Sequence, residues 1–153
     1  MKKVYDTINQ YCVEHDLLMN GDGIVIGLSG GVDSVCLLQV LAALRNEWQL
    51  RLVCVHVHHG IRGTAADEDA AFAQRLAAKY NISFRLYEMD IPQLAKEQGL
   101  SEEEAGRNYR YRCFEEVRKE LNFDKIAVAH HRDDQAETVL WQILRGSGLR
   151  GVC

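Results

Sequence analysis

The chain has 153 residues, 47% of them hydrophobic, which suits one globular domain with a sizeable core, and its single proline, Pro92, leaves little room for a linker. A net charge of −4 argues against a domain that coats nucleic acid nonspecifically, while leaving room for a local basic patch. Five cysteines without a C-x-x-C pair read as reduced thiols, Cys36 and Cys54 in the core, and no segment suits a membrane span or signal peptide, so a cytoplasmic location is expected.

Val4, Ile8, Tyr11, His15 and Leu18 recur at helical spacing, which predicts an amphipathic first helix closed by the turn residues Asn20-Gly21-Asp22-Gly23. The β-branched run Gly23-Ile24-Val25-Ile26-Gly27-Leu28 reads as a buried strand. It enters Ser29-Gly30-Gly31-Val32-Asp33-Ser34, and a helix from Val35 to about Asn46 follows. This stretch therefore lies between a strand's carboxyl end and a helix's amino end, where open α/β sheets bind ligands. Its glycines let backbone approach an anion, and the N–H groups of a first helical turn offer donors to a phosphate. It is not a Walker loop, which needs a lysine where Val32 and Asp33 stand. The plainer alternative is a glycine turn with Asp33 capping the helix.

Leu52 to Val57 reads as a second buried strand, leading into His58-His59-Gly60-Ile61-Arg62-Gly63. Zinc at His56, His58 and His59 is disfavoured, because no cysteine or further histidine stands nearby at ligand spacing. The stretch is either a solvated loop or one flanking a ligand, with Arg62 toward phosphate or RNA. Asp67 to Asn81 predicts a helix with Phe72, Leu76 and Ala77 inward, Ile82 to Tyr87 a third strand, and Met89 to Pro92 a short helix ending near Gly99. Ser101-Glu102-Glu103-Glu104 is a capping box for a long helix. On it Arg107, Arg110 and Tyr111 share one face while Arg112 points elsewhere. That face could grip a phosphate and stack on a base, or be an ordinary salt-bridged face served by the glutamates.

Lys125 to Ala129 is the fourth strand and runs into His130 to Thr138, after which Val139, Leu140, Ile143 and Leu144 continue as a helix. Asp134, Glu137 and Thr138 would share a face near its amino end, serving the helix dipole or holding hydrated Mg2+. Arg145 to Gly151 reads as a glycine-rich basic loop, either a hinge or a second phosphate or RNA contact. The alternation predicts an α/β fold: a doubly wound, mostly parallel, Rossmann-like sheet of about five strands with helices on both faces.

Taken in order, the 29–34, 56–63, 101–112, 130–138 and 145–151 stretches resemble the motifs of the tRNA(Ile)-lysidine synthetase family, a branch of the PP-loop ATP-pyrophosphatase superfamily. They span nearly all of the chain from Gly23 onward. One departure is Gly106, where the family usually has alanine, which slightly weakens the helix. The resemblance implies that ATP, with Mg2+, adenylates the C2 carbonyl oxygen of the wobble cytidine in a tRNA(Ile) bearing CAU, releasing pyrophosphate. Free L-lysine then attacks C2 and expels AMP. No enzyme nucleophile is needed, so the protein's work is positioning and charge neutralisation.

The same resemblance implies pyrophosphate binding by Ser29, Gly30, Gly31, Val32, Asp33 and Ser34, and catalytic roles for Asp33, Arg107, Asp134 and Glu137. Mg2+ would be held by Asp33 and Asp134, with Asp134 and Glu137 also candidates for the lysine amine. His58, His59, Arg62, Arg110, Tyr111 and Arg145 are the candidates for substrate or RNA contact, and backbone around Val57 would line adenine. Family members normally continue into carboxyl-terminal tRNA-binding domains, so residues 1–153 are expected to be one catalytic domain of a longer protein. Rivals are a cytidine thiolase of the same superfamily, which uses cysteine pairs around an iron–sulfur cluster, and a nucleotide-binding module without catalysis. The sequence is silent on oligomeric state and leaves a homodimer open.

Overall fold

Residues 23–27 are buried at every position, as a parallel strand covered on both faces must be. The structure is a computed structural model, which describes residues 2–29, 31–60, 65–131, 139–145 and 148–152. The elements run α1 (Lys2–Glu14), β1 (Gly23–Gly27), α2 (Val32–Trp48), β2 (Arg51–His58), α3 (Ala65–Lys79), β3 (Ser83–Glu88), α4 (Ile91–Gln98), α5 (Glu102–Leu121), β4 (Lys125–His131), β5 (Val139–Arg145) and β6 (Gly148–Val152). They form one sheet in the order β3-β2-β1-β4-β5-β6. The β3-β2-β1-β4 portion is parallel throughout, in registers that include Gly27↔Val55 and Ile26↔Ala127.

Strand alternation divides the core between the two faces of the sheet. Ile24, Ile26, Cys54 and Ala127 pack with the α2 leucines 37, 38, 41 and 44 and with Ala73, Leu76 and Ala77 of α3. Val25, Val53, Val55, Ile126 and Val128 face the other way, onto Cys113, Phe114 and Val117 of α5. This is the expected doubly wound arrangement. Burial pushes the Cys54 thiol up to about 12 and the Cys12 thiol to about 11, so both act as small apolar core residues. The Ser101 hydroxyl accepts the Glu104 N–H at 3.1 Å, giving α5 its expected cap.

Three expectations change. The inward phase of α3 is set by Ala70, Ala73, Leu76 and Ala77, which leaves Phe72 40% exposed. The apolar run expected as a helix from Val139 is instead β5, paired antiparallel with β4 from His131↔Val139 to Lys125↔Arg145. A short apolar run fits either period, and the open edge of β4 offers it a backbone partner at every residue. The glycine-rich stretch that follows pairs as β6, in registers such as Leu144↔Leu149, rather than forming a loop.

The amino ends of β1 and β4 are locked by a buried ion pair. Lys125 Nζ lies 2.6 Å from Asp22 Oδ2 and donates to the Leu17 carbonyl at 2.5 Å. Asp22 Oδ2 also accepts the Met19 N–H, so its carboxylate organises the turn between α1 and β1. Removing one partner of such a pair strands the other charge at a cost of about 3–5 kcal/mol. Lys125→Met is therefore expected to lower the unfolding free energy by that amount, read by circular dichroism as a lower urea midpoint with an unchanged m-value.

Candidate functional site

The strand order reverses at β1, whose neighbours β2 and β4 lie on opposite sides of it. In an open parallel sheet the crevice at the carboxyl ends of two such strands is the place for a ligand. A cavity of about 430 Å³ opens there, floored by Gly27, Leu28 and Val128.

One wall is the start of α2. The buried Ser34 hydroxyl accepts the Ser29 N–H at 3.2 Å, lies 3.1 Å from the Ser29 hydroxyl and donates to the Gly31 carbonyl at 3.0 Å. The Ser29 hydroxyl in turn accepts the Gly31 N–H at 3.2 Å. Both hydroxyls thus hold the loop's own backbone. Gly31, not Asp33, occupies the cap position and brings no side chain to it, while Asp33 sits in the first turn. The α2 start keeps the donors and partial positive charge of an uncapped helix end.

A second wall comes from β2, where three histidines take three different roles. His56 is buried, and its Nδ1 donates to the Leu28 carbonyl at 2.6 Å. His58 is buried with the opposite tautomer: Nδ1 accepts the Gly60 N–H at 2.9 Å, and Nε2 donates to Asp67 at 2.5 Å. It sits behind the cavity and braces the turn at Gly60, whose φ of +94° and close approach to Met89 and Asp90 exclude a side chain. His59 reaches the cavity. Burial and the positive charge of Arg110, with smaller effects from His56 and His58, pull it below its ordinary value of 6.5.

The Val57 backbone is also placed for binding. The Val55 carbonyl accepts the Leu28 N–H, so alternate β2 residues direct their backbone groups toward β1. Val57 lies two residues on, beyond the last β1 partner, and among the described residues its backbone has no hydrogen bond on that side.

The third wall is α5. Arg110 and Tyr111 line the cavity, as does Phe114, which meets Tyr111 edge-on at 5.7 Å. Burial depresses the Arg110 guanidinium from its ordinary value, Tyr111 and Glu103 partly offset this, and Arg107 adds like charge, while burial raises the Tyr111 phenol. Arg107 is exposed and outside the cavity lining. From α3, Ala66 and Asp69 complete the rim.

Of the residues singled out in the sequence, Ser29, Ser34, His59, Arg110 and Tyr111 come together around the cavity. Gly31, Val32 and Asp33 belong to the adjoining loop and first turn of α2. Gly30, Arg62, Asp134 and Glu137 lie outside the described residues, and Arg145 is described for its backbone alone, as the end of β5. Gly27, Phe114, Val128 and Asp69 were not anticipated. Their signal was available only in part, since Gly27 and Phe114 read simply as strand and helix residues.

A parallel sheet with a ligand crevice at its switch point, closed by a serine–glycine loop, defines an open α/β domain of the nucleotide-loop kind. The sequence matches the PP-loop domain over residues 2–153, and the chain belongs to that family. It is 49% identical over 152 residues to a tRNA(Ile)-lysidine synthase of Caldanaerobacter subterraneus subsp. tengcongensis, covering 99% of this chain and 32% of that protein. A tRNA(Ile)-lysidine synthase of Clostridium tetani is 41% identical over 149 residues, covering 97% of this chain and 31% of the relative. The chain thus spans about a third of the length of these curated relatives. Among solved structures, the U34-tRNA thiolase NcsA of Methanococcus maripaludis superposes with a TM-score of 0.61 at 23% identity, over 76% of this chain and 40% of that one. The NH3-dependent NAD synthetase of Campylobacter jejuni gives 0.55 at 20% identity, over 82% and 52%. At these identities the two likenesses speak to fold.

Two glycines make opposite predictions. A Cβ at Gly27 would lie 2.8 Å from Phe114 and 2.9 Å from Val128, whereas one at Gly106 meets only ordinary contacts at 3.6–3.7 Å. Gly27→Ala should cost about 1–3 kcal/mol by overpacking and displace the Phe114 wall. Gly106→Ala should gain up to about 1 kcal/mol from helix propensity. Paired urea denaturation curves check both signs.

Proposed function

We propose that this chain is the ATP-binding catalytic domain of a tRNA(Ile)-lysidine synthase. The observation that carries the proposal is the serine-locked loop, which presents the uncapped start of α2 beside a cavity of about 430 Å³, within the range usual for small-molecule sites. Similarity to lysidine synthases over nearly all of this chain, about a third of their length, supports the choice of reaction.

In this proposal the 29–34 loop and the first-turn N–H groups of α2 take the β- and γ-phosphates. The Val57 N–H and carbonyl read the adenine edge, which presents an acceptor beside a donor. The wobble cytidine enters against Tyr111, whose ring offers a stacking surface. Its C2 carbonyl oxygen attacks the α-phosphorus and pyrophosphate leaves. The lysine amine then adds to C2, loses a proton, and AMP departs with the oxygen. Activation comes from ATP and nucleophilicity from lysine, so the walls need only position the reactants and balance charge. Arg110 serves the phosphates or the activated cytidine from within the cavity. Arg107, exposed beyond its lining, serves tRNA phosphate, as do Arg62 and Arg145. Asp134 and Glu137 hold the lysine amine.

Mg2+ takes one or two carboxylates plus substrate phosphates rather than a protein-built cage. Asp33 beside the loop fits that donor set, and among the described residues no group of three or more His, Cys, Asp or Glu forms such a cage. Asp33, with Asp134, would hold the ion, which supplies neutralisation of the pyrophosphate charge. The free thiols Cys12, Cys36, Cys54 and Cys113 fit a reducing, cytoplasmic setting. Cys12, Cys54 and Cys113 are buried in the two cores, an arrangement that favours lysine ligation over thiolation.

The deciding experiment supplies the protein with ATP, Mg2+, lysine and unmodified tRNA(Ile) bearing CAU, with tRNA(Met) as the control. Lysine-dependent AMP formation with tRNA(Ile) alone is the expected outcome. AMP formed without lysine incorporation would instead indicate another cytidine modification. ATP binding with no pyrophosphate from either tRNA would indicate either a need for carboxyl-terminal tRNA-binding domains or a non-catalytic module, and repeating the assay with the full-length protein separates the two. Within the loop, Ser34→Ala removes the hydroxyl that ties Ser29 to Gly31. Hydrogen bonds of this kind are worth about 0.5–1.5 kcal/mol each, so ATP affinity measured by calorimetry should fall about tenfold.

A further inference from the structure

We propose that His59 and Arg110 form a two-cation subsite for a phosphoryl group on the α5 side of the cavity, and that filling it places a proton on His59. This rests on the ATP-binding proposal above and adds a second anion position to it, separate from the 29–34 loop.

The geometry carries the argument. Both residues line the cavity. They flank Gly106: the His59 Cε1 and an Arg110 terminal nitrogen each lie 3.7 Å from the position its Cβ would take. The two groups are therefore at most twice that distance apart, a gap that one phosphoryl group and its two hydrogen bonds can bridge.

Charge points the same way. Arg51, Arg85 and Arg118 each pair with a carboxylate. Arg110 has no ion-pair partner among the described residues, although it lies in a cavity wall. A partly buried guanidinium without a counter-ion is costly, and an arriving anion removes that cost. The charged and titratable groups around His59 are Arg110 from α5, His56 and His58 from β2, Asp69 at the α3 rim, and Asp90 at the start of α4. Asp67 is engaged by His58, and Asp90 caps α4 by accepting the Gln93 N–H. Asp69 remains as a carboxylate on the rim, where it is solvent-exposed, and Glu103 acts on Arg110 at longer range from the same helix.

The sign of the linkage follows. With the cavity empty, burial and Arg110 hold His59 below its ordinary value of 6.5, which favours the neutral ring. A neighbouring phosphoryl charge favours the imidazolium and raises its pKa by about one unit or more. Binding then takes up a proton in the window between the empty and filled values. Affinity should rise as pH falls through that window, by at most about tenfold per pH unit, and flatten outside it.

The test is calorimetry at pH 6.5 in two buffers of different protonation heat, with ATP, AMP and the trinucleotide CpApU as separate probes, on the wild-type chain and His59→Gln. Ionisation of the ligand's own phosphate occurs in both proteins and cancels in the difference. Greater proton uptake by wild type with ATP or AMP supports the subsite and assigns it to the nucleotide's phosphate. Greater uptake with CpApU alone supports it and assigns it to the RNA backbone. The imidazole signal absent from His59→Gln should also titrate about one unit higher with the effective probe, and Arg110→Gln should shrink the shift. Equal proton uptake in both proteins, with binding intact, overturns the subsite while leaving the ATP-binding proposal standing. A folded chain that binds none of the probes overturns both.

Discussion

A parallel strand buried on both faces has nowhere to put a polar group except at its ends, and the architecture follows from that constraint on β1. Along residues 24–26 both flanking strands, β2 and β4, supply backbone partners. After the Leu28 N–H, which still pairs with β2, the ladder stops, and polar groups gather within a few residues: two serine hydroxyls, the Leu28 carbonyl, three histidines and the α2 start. The Leu28 carbonyl illustrates the accounting. It has left the sheet, and the buried His56 ring donates to it at 2.6 Å. A buried carbonyl needs such a partner, and meeting that need fixes the His56 tautomer at the cavity edge.

Much of this was legible in the sequence because the signals were local. The continuous apolar runs of β1, β2 and β4, the serine–glycine stretch between strand and helix, and the Ser101 cap each depend on neighbours within a few residues. Arg110 and Tyr111 could be placed on one face from spacing alone. What could not be read was long-range. Asp22 looked like a turn residue until Lys125, 103 residues away, was seen to meet it. Phe114 looked like ordinary helix core until Gly27 was seen to admit its ring against the sheet. His58 and His59 are adjacent and chemically identical, and only strand alternation and the turn at Gly60 decide that one braces while the other faces the cavity.

The run from Val139 shows a different limit. Valine, leucine, tryptophan and isoleucine in that order satisfy a helical stripe and a strand about equally, so the sequence pattern carries no decision. Pairing with the open edge of β4 makes it, because an extended segment there satisfies its backbone groups against a strand already in place. Arg107 is exposed and outside the cavity lining for a related reason. It shares a nominal face with Arg110, yet a helix wall is curved, and one turn earlier that face has already left the cavity.

The two ends of the sheet handle positive charge in opposite ways. At the closed end, Lys125 is buried and neutralised by Asp22, and a second donor goes to the Leu17 carbonyl. That arrangement is self-sufficient and has no use for a ligand. At the open end, Arg110 and the α2 start present positive charge and unspent donors, with no carboxylate of the described chain paired to the guanidinium. A site built this way is under-satisfied when empty, so part of its stability must come from whatever anion enters it. Ligand binding to the folded state alone stabilises by RT ln(1 + [L]/Kd), about 2.7 kcal/mol at a hundredfold excess over Kd. In the proposed function this same imbalance is what favours a phosphate-bearing molecule at the switch point.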